Sequence, residues 1–318
     1  MNPVFRLDGV TKRFGRQVAL DQFSLQGDGG TVIALLGENG AGKTTALRIL
    51  LGLLESDSGL SEVFRLNSRT QGEEIRRRVG YVPDSPTLYE WMTVSEIGWF
   101  AAGFYDNWFL PRYQEMAKQF ELPFDRKLKQ LSKGMLAKVS LSLALAHQPE
   151  LLILDEPTSG LDPMVRREFL ESMVDVAADG RTVLLSSHQI SEVERVADVV
   201  AIIRKGKLEI VERLDELKSN VCELTVTLNN GSATIPDTVG EIIARFKQDR
   251  HWRLLVRGCD DERLNSLRQA PTVGHVEVRQ PSLEEIFIGY MHTETDERVG
   301  TPPPDAVTTN DSTEIPSE

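Results

Sequence analysis

The sequence predicts an α/β fold built on a buried, largely parallel sheet, followed by a small α+β appendage. From the start to about Leu217, short apolar runs alternate with stretches of helical period. Uninterrupted apolar runs are typical of parallel strands that are covered on both faces. The runs lie at residues 31–36, 151–154, 182–185 and 199–203. Because sheets of this kind bind ligands at the carboxyl ends of their strands, polar residues that follow these runs are candidate site residues.

Composition divides the chain into three parts. Residues 1–217 form the predicted α/β domain, and residues 218–292 form a predicted α+β accessory domain, in which residues 222–228 alternate like a half-buried strand. Residues 293–318 combine prolines and scattered acidic residues with few apolar ones. Since such a segment buries too little apolar surface to offset the entropy of ordering, we expect a disordered acidic tail.

Charge and cysteine content exclude several classes of protein. The formal net charge is -12, and seven acidic residues and one basic residue follow His292. The tail therefore holds about half of the excess negative charge, and the rest of the chain is only mildly acidic. Because this part has no overall positive charge, we expect no nucleic-acid partner. The two cysteines, Cys222 and Cys259, have neither disulfide-framework nor zinc-site spacing. No apolar run approaches the length of a spanning helix, so we expect the chain not to cross a membrane, although it can dock on one.

A glycine-rich loop follows the first apolar run and precedes a helical segment. Its glycines allow backbone N–H groups to converge on an anion, and the helix N-terminus adds partial positive charge. In this pattern the lysine reaches the β- and γ-phosphates and the following threonine binds Mg²⁺. A glycine-rich structural turn is the alternative. The predicted nucleotide-binding residues of the loop are Gly37, Glu38, Asn39, Gly40, Ala41, Gly42, Lys43, Thr44 and Thr45.

Acidic residues and a histidine follow two further apolar runs. Asp155 and Glu156 end the run at 151–154, where buried carboxylates need a cation or a proton to transfer. We expect Asp155 to bind magnesium and Glu156 to polarise the attacking water as a general base. His188 ends the next run and is expected to contact the γ-phosphate or orient Glu156. A solvated strand end and a structural histidine are the alternatives.

These elements together resemble one family, the nucleotide-binding subunits of ATP-binding-cassette (ABC) transporters. The resemblance rests on five ordered segments: GENGAGKTT from Gly37, GYVPD ending at Asp84, LSKGM from Leu131, LLILDEPTSGLD ending at Asp162, and SSH ending at His188. It implies a P-loop NTPase core of the RecA-like type, with an antiparallel β subdomain and a helical subdomain at about 85–147. It also implies an ATPase that uses ATP and Mg²⁺.

The resemblance assigns further residues to the nucleotide. Phe14 matches the aromatic residue that stacks on adenine, with simple burial of its ring as the alternative. Ser132 and Gly134 match positions that meet the γ-phosphate of ATP held by a second subunit, which would be a second copy of this chain or a paralogue. Asp84 stands where the family usually has Gln; it can bind magnesium, but its charge leaves its role open. Lys133 and Met135 also depart from the common form LSGGQ.

A segment rich in aromatic residues lies between Asp84 and Leu131. Most of these side chains are expected in the core of the helical subdomain, and the remainder in a groove that receives a short helix of a transmembrane permease subunit. The resemblance thus implies an ATPase attached peripherally to the cytoplasmic face of the cell membrane, powering export of a drug, antibiotic, peptide or lipid. The alternatives are a soluble ABC ATPase acting on ribosomes or DNA and a nucleotide-sensing regulator with little turnover.

Overall fold

Residues 3–229 and 239–291 are described by a computed structural model, so the predicted acidic tail at 293–318 lies outside the described residues. The chain folds as two units, one spanning Met1–Asn220 with Pro281–Met291 and the other Val221–Gln280. None of the helices in the described ranges is long and apolar enough to span a membrane.

The first unit begins with three strands and then alternates helices and strands. Up to the third helix its elements are β1 (Phe5–Phe14), β2 (Gln17–Gly27), β3 (Val32–Leu36), α1 (Lys43–Leu50), β4 (Ser58–Val63), β5 (Leu66–Asn67), α2 (Gly72–Arg78), β6 (Val79–Val82) and α3 (Val94–Ala102). They continue with α4 (Phe109–Gln119), α5 (Lys133–Ala146), β7 (Leu151–Asp155), α6 (Pro163–Ala178), β8 (Thr182–Ser187), α7 (Ile190–Val193), β9 (Val199–Arg204), β10 (Lys207–Arg213) and α8 (Leu214–Asn220).

The six-stranded central sheet has the order β10-β9-β3-β8-β7-β6, and the strands from β9 to β6 pair in parallel. Every residue of β3, β7 and β8 is buried, because the sheet is covered on both faces. The residues that follow these strands therefore meet at one edge of the sheet, which we call the catalytic edge: the residues following β3 and the ends of β7 and β8. The α/β class predicted for this part of the chain is the observed one.

A second, antiparallel sheet has the order β2-β1-β4-β5. β1 and β4 approach so closely that a Cβ atom on Gly59, whose φ is +89°, would lie 2.5 Å from the carbonyl oxygen of Gly9. Only glycine fits there. The sheet ends β1 at Phe14 and so determines where that ring stands.

A helical region lies between β6 and β7 and contains α3, α4, a 3₁₀ turn at Leu128–Gln130 and α5. Its core is separate from that of the central sheet and includes Tyr113, whose hydroxyl donates a 2.7 Å hydrogen bond to the Val94 carbonyl. A Cβ atom on Gly98 would lie 2.1 Å from the Tyr113 ring, so glycine allows this packing. Thr93 and Glu96 form a capping box that begins α3.

The second unit is a four-stranded antiparallel sheet with one described helix. It contains β11 (Val221–Leu228), β12 (Glu241–Gln248), β13 (His251–Arg257), α9 (Asp261–Gln269) and β14 (Val273–Arg279), with strand order β12-β13-β11-β14. Glu223 is buried, and both of its carboxylate oxygens accept hydrogen bonds from Arg279, at 3.0 and 2.8 Å. The pairing offsets the cost of burying the charge.

The last described helix, α10 (Leu283–Met291), belongs to the first unit rather than to the accessory domain. The accessory domain predicted from the sequence extends to residue 292, so the structure differs at this boundary. The physical reason is the apolar face of α10: Leu283, Ile286 and Phe287 are buried, and the helix packs against α7 and β9.

Candidate functional site

The predicted phosphate loop connects β3 to α1. A Cβ atom on Gly37 would lie 2.6 Å from the Ile203 carbonyl oxygen, and one on Gly42, whose φ is +112°, would lie 2.5 Å from the Ala19 carbonyl oxygen. Both positions therefore require glycine. The loop passes close to neighbouring backbone and leads directly into the N-terminus of α1, which is the geometry that binds anions.

Lys43 is the first residue of α1 and is 5% exposed. Its Nζ donates hydrogen bonds to the carbonyl oxygens of Gly37 at 2.7 Å and Glu38 at 3.2 Å, and it lies 2.9 Å from Oε1 of Glu156. The cation is thus held at the phosphate loop and paired with the predicted general base.

Thr44 and Asp155 meet as the sequence predicted. The Thr44 hydroxyl donates to Oδ1 of Asp155 at 3.1 Å, and the Ser186 hydroxyl donates to the same oxygen at 2.7 Å. Asp155 is 1% exposed, and among the described residues it has no ion-pair partner. A buried carboxylate beside a hydroxyl fits Mg²⁺, which takes one or two carboxylates together with phosphate oxygens and water.

The backbone of Glu156 is in the left-handed region, with φ +49°, which is uncommon for a residue with a side chain. Its Oε2 lies 2.7 Å from Nδ1 of His188 and 3.3 Å from the His188 backbone nitrogen. Since a carboxylate only accepts, both His188 groups donate. The structure therefore brings together the three predicted catalytic residues, Lys43, Glu156 and His188, and strained backbone of this kind is concentrated at functional sites.

Ser186 is a site residue that the sequence analysis did not single out. Its hydroxyl donates to Asp155 and accepts from the Glu156 backbone nitrogen at 3.0 Å, so it connects the two carboxylate residues. The signal in the sequence was weak: a serine close to the end of an apolar run, two residues before His188. Its pairing with Asp155 is given only by the structure.

Phe14 stands at the end of β1 with half of its surface exposed, so the alternative of simple burial does not hold. Lys12 Nζ lies 5.4 Å from the centroid of its ring. An exposed aromatic face of this kind can stack on a base.

Asp84 follows β6 and is exposed, with a 3.4 Å hydrogen bond from the Ser85 hydroxyl. No hydrogen bond joins it to Thr44 or Asp155 in the described ranges. Its place in the metal shell stays a prediction.

The signature segment, residues 131–135, begins α5. Ser132 caps this helix, accepting a 3.2 Å hydrogen bond from the Met135 backbone nitrogen, and it is exposed. Gly134 is buried, and a Cβ atom there would lie 3.0 Å from the Val165 side chain. Within the part of the chain described, no hydrogen bond or ion pair joins this segment to residues 37–45. Ser132 and Gly134 are therefore not brought to the phosphate loop of their own chain.

Lys133 reaches the loop that precedes α6. A Cβ atom on Gly160, whose φ is +68°, would lie 2.4 Å from Lys133 Nζ. The loop ends at Asp162, whose side chain caps α6 by accepting from the Met164 and Val165 backbone nitrogens. Lys133 thus packs the signature segment against the segment that ends in Leu161 and Asp162.

A groove of about 330 Å³ lies beside the edge strand β6. Its lining includes Tyr81, Leu88, Ala101, Tyr105 and His147. Next to it, the rings of Tyr89, Phe100 and Phe104 form a chain with centroid distances of 5.3 and 5.5 Å, and the Phe104 side chain is 72% exposed. Part of the aromatic segment is therefore core, and part is surface beside a groove.

Comparison with known proteins identifies what the chain is similar to. The family model described as "ABC transporter" matches residues 20–159. An uncharacterized ABC transporter ATP-binding protein of Nostoc sp. is 32% identical over 86% of this chain and 83% of its own length. The daunorubicin resistance ATP-binding protein DrrA2 of Streptomyces coeruleorubidus is 32% identical over 89% of this chain and 93% of its own. The bacitracin transport ATP-binding protein BcrA of Bacillus licheniformis is 35% identical over 69% and 72%.

Solved structures show the same similarity. The ATP-binding subunit of an ABC transporter matches with a TM-score of 0.63 and 30% identity, covering 68% of this chain and 92% of that one. A bacterial ABC transporter cassette, MJ0796, solved as a dimer, matches with a TM-score of 0.60 and 25% identity, covering 66% and 98%.

Proposed function

The chain belongs to the ATP-binding subunits of ABC transporters, and from this membership we propose that it powers an exporter whose membrane-spanning part is a separate polypeptide. Members of this family bind and hydrolyse ATP, and this chain is an ATPase. The observation that carries the export proposal is the similarity, over most of the chain, to a protein named for daunorubicin resistance. Bacitracin transport and Nod factor export proteins support it.

The proposed chemistry is hydrolysis of the bond between the β- and γ-phosphates. The loop at 37–42 and Lys43 bind these phosphates, and Glu156 takes a proton from the water that attacks the γ-phosphorus. The 2.7 Å contact with His188 supports this role, because it holds one carboxylate oxygen and so fixes the orientation of the other. Phe14, half exposed at the end of β1, would stack on adenine.

Thr44 and Asp155 are the proposed magnesium ligands, with Asp84 as a further candidate. The fit rests on the buried Asp155 carboxylate and its hydrogen bond from Thr44. When bound, the metal would neutralise charge on the phosphate oxygens. No cluster of three or more His, Cys, Asp or Glu residues that could hold a metal occurs in the described ranges, which agrees with a site completed by nucleotide phosphates.

We further propose that two subunits close on two ATP molecules. The exposed Ser132 and the N-terminus of α5 would meet the γ-phosphate held by the partner, since helix N-termini bind phosphate. The dimeric MJ0796 cassette supports this arrangement. The partner subunit would be either a second copy of this chain or a paralogue.

The groove beside β6 is the proposed contact with the membrane subunit, and it would hold the ATPase at the cytoplasmic face of the membrane. A concave surface lined by apolar and aromatic side chains receives an amphipathic helix well. Exposed aromatic rings next to it add area of the kind found at interfaces.

Purification of tagged Glu156→Gln protein from its own cells, in mild detergent with ATP, tests the proposal. Blocked hydrolysis should trap the closed complex, and we expect a stoichiometric multi-spanning membrane protein to co-purify. Phe104→Asp should remove that protein, because it places a charge on the exposed aromatic surface beside the groove. Val211→Asp, at an exposed apolar position on β10, is the matched control and should retain it.

Recovery of ribosomes or nucleic acid in place of a membrane protein would contradict the transporter assignment. Equal recovery of the membrane protein with Phe104→Asp and Val211→Asp would contradict the groove as the contact site. It would leave the transporter assignment intact.

A further inference from the structure

The strand β1 continues past its partner β4 before it reaches Phe14. Pairing of the two strands ends with Thr11 opposite Ser58, where β4 begins. Lys12, Arg13 and Phe14 extend beyond this pair, and their sheet partners lie on β2. A strand that is paired on one side presents backbone groups on the other. The position of the Phe14 ring therefore depends on what holds β1 on its open side.

Asp57 bonds three consecutive residues on the open side of β1. Its backbone nitrogen donates to the Thr11 carbonyl oxygen at 2.9 Å, and its Oδ2 accepts from the Arg13 backbone nitrogen at 2.7 Å. Its Oδ1 accepts from Lys12 Nζ at 3.1 Å. The pKa of Asp57 is lowered, first by the hydrogen bond from the Arg13 backbone and then by that from the Lys12 side chain. Both bonds therefore favour the ionised carboxylate.

Lys12 connects Asp57 to the aromatic ring. Its ammonium lies over the Phe14 ring, 5.4 Å from the centroid, which is within range of a cation–π attraction. The Lys12 side chain is 14% exposed, whereas half of the Phe14 surface is exposed. Because an aromatic ring has two faces, a cation over one of them leaves the other for a base. Asp57 thus fixes both the backbone that carries the ring and the cation that covers one of its faces.

The energetics of this contact favour positioning over stability. The Asp57 side chain is 44% exposed, and ion pairs of exposed groups add little to the free energy of unfolding. The bonds to Lys12 and Arg13 nevertheless restrict how the end of β1 can move. Binding has to order the groups that a ligand contacts, so a ring that is held in place beforehand binds a base more tightly.

We propose that Asp57 is a positioning residue for the adenine base, which fixes the Phe14 ring and directs Lys12 to one of its faces so that the base stacks on the other. This inference rests on the stacking of Phe14 on adenine in the proposed function. Asp57 acts through the ring rather than by contact with the nucleotide. Its loss should weaken binding of the base and leave binding of the phosphates unchanged, since Lys43 and the phosphate loop are not altered.

Asp8 provides a matched control on the same strand. Its carboxylate pairs with Arg6, and its side chain is 49% exposed, close to the value for Asp57. It lies opposite Leu60, within the paired part of β1 and β4. Asp8→Ala therefore removes an equally exposed, ion-paired carboxylate from β1 at a distance along the strand from Phe14.

Calorimetry on the full chain in excess Mg²⁺ compares two probes, a non-hydrolysable ATP analogue and inorganic tripolyphosphate, which has no base. The ratio of the tripolyphosphate dissociation constant to that of the analogue measures how much the nucleoside adds to affinity. Phe14→Ala should lower this ratio about fivefold or more, as expected for loss of a base–aromatic stack. Asp57→Ala should lower it about threefold or more, the coupling typical of residues joined by one hydrogen-bond network. Asp8→Ala should leave both constants at their wild-type values.

A double-mutant cycle separates positioning from a general structural role. Once Phe14 is replaced by alanine there is no ring to position, so adding Asp57→Ala should leave the ratio unchanged. Additive effects of the two substitutions would show that Asp57 acts independently of the ring, and would overturn the inference. The Tm of Asp57→Ala should be close to that of Asp8→Ala, because each substitution removes an exposed ion pair.

The remaining outcomes distinguish the inference from the stacking on which it rests. An Asp57→Ala ratio equal to that of wild type, with the Phe14→Ala ratio lowered, would overturn the inference and leave the stacking intact. Weaker tripolyphosphate binding by Asp57→Ala would also overturn it, since the effect would then extend beyond the base. An unchanged ratio for Phe14→Ala would overturn the stacking proposed for Phe14, and the inference with it.

Discussion

At the catalytic edge, Glu156 contacts both Lys43 and His188 within a single chain. Beside it, Asp155 accepts hydrogen bonds from both Thr44 and Ser186. The signature segment at 131–135 differs: its Ser132 is exposed, and among the described residues its side chain bonds only its own helix. Both regions carry motifs that point to the same phosphates. The residues of the catalytic edge meet within one chain, whereas the signature segment does not reach the phosphate loop of its own chain.

The difference follows from what each region buries. At the catalytic edge, Lys43 and Glu156 are largely shielded from water and form an ion pair, which offsets part of their desolvation cost. The buried carboxylate of Asp155 accepts hydrogen bonds from the hydroxyls of Thr44 and Ser186. An exposed helix N-terminus needs only its cap and solvent, and it remains available to an anion. A site shared between two subunits would therefore take its buried charges from one chain and its exposed helix N-terminus from the other.

The largest effect is expected for a substitution at the catalytic edge. Glu156→Gln should lower kcat for ATP hydrolysis by about 10²- to 10⁴-fold, because an amide cannot accept the proton of the attacking water. ATP binding should persist, since Lys43 and the loop are unchanged. Steady-state hydrolysis and equilibrium binding measure the two effects.

Glu150→Gln is the matched control. Glu150 is an exposed carboxylate just before β7, bonded to Arg78 at 2.8 Å, and its loss should leave kcat unchanged. Full hydrolysis by Glu156→Gln would assign the base to another residue.

Mixed subunits test whether the signature segment completes the site of a second chain. Ser132→Arg blocks the exposed helix N-terminus, and Lys43→Ala removes the phosphate-binding cation, so each homodimer should be inactive. Random pairing of equal amounts leaves one intact site in half of the dimers, and we expect about a quarter of wild-type hydrolysis.

Subunit mixtures as inactive as their parents would contradict the shared site. Activity of the Ser132→Arg protein alone would show that the signature segment does not contact the nucleotide. Each variant assayed alone, at the total protein concentration of the mixture, is the control.

The smallest expected effect extends the comparison to a buried titratable group that stays neutral. The ring of the buried His147 stacks on Tyr105 at a centroid distance of 4.7 Å. The pKa of His147 is lowered from 6.5 to about 4, mainly by burial, and hydrogen bonding to the backbone of Val79 and Leu143 offsets only part of this. The catalytic edge pairs Lys43 with Glu156, whereas the groove keeps His147 neutral.

His147 should make the free energy of unfolding depend on pH. Above pH 6.5 the ring is neutral in both states, and between 6.5 and 4 the unfolded chain binds a proton that the folded chain does not. Stability should therefore fall as pH falls through this window, by up to about 1.4 kcal/mol per pH unit. Urea unfolding across the window, compared with His147→Phe, isolates this contribution. Identical slopes for the two proteins would show that His147 is protonated in the fold.

Much of the site could be predicted from the sequence because its residues follow apolar strands directly. Strand alternation and parallel pairing bring strand ends to one edge, so Lys43, Thr44, Asp155, Glu156 and His188 could be grouped before any contact was known. The family and its fold followed from the same motifs, and the comparisons confirm both.

Other features could not be predicted, because they depend on contacts between elements distant in sequence. Ser186 bridges two carboxylate residues only because β8 pairs with β7 in a particular register. The burial that lowers the pKa of His147 likewise depends on packing, which periodicity alone does not give. The grouping of α10 with the first unit also depends on packing, since an apolar face does not specify what covers it.

The sequence by itself therefore determined the chemistry of the nucleotide site, because local backbone geometry fixes a loop, a strand end and a helix N-terminus. Tertiary structure decided which charges are paired, which titratable group is kept neutral by burial and which half of the site faces outward. Those outcomes depend on desolvation, and desolvation is set by the packing of the whole unit.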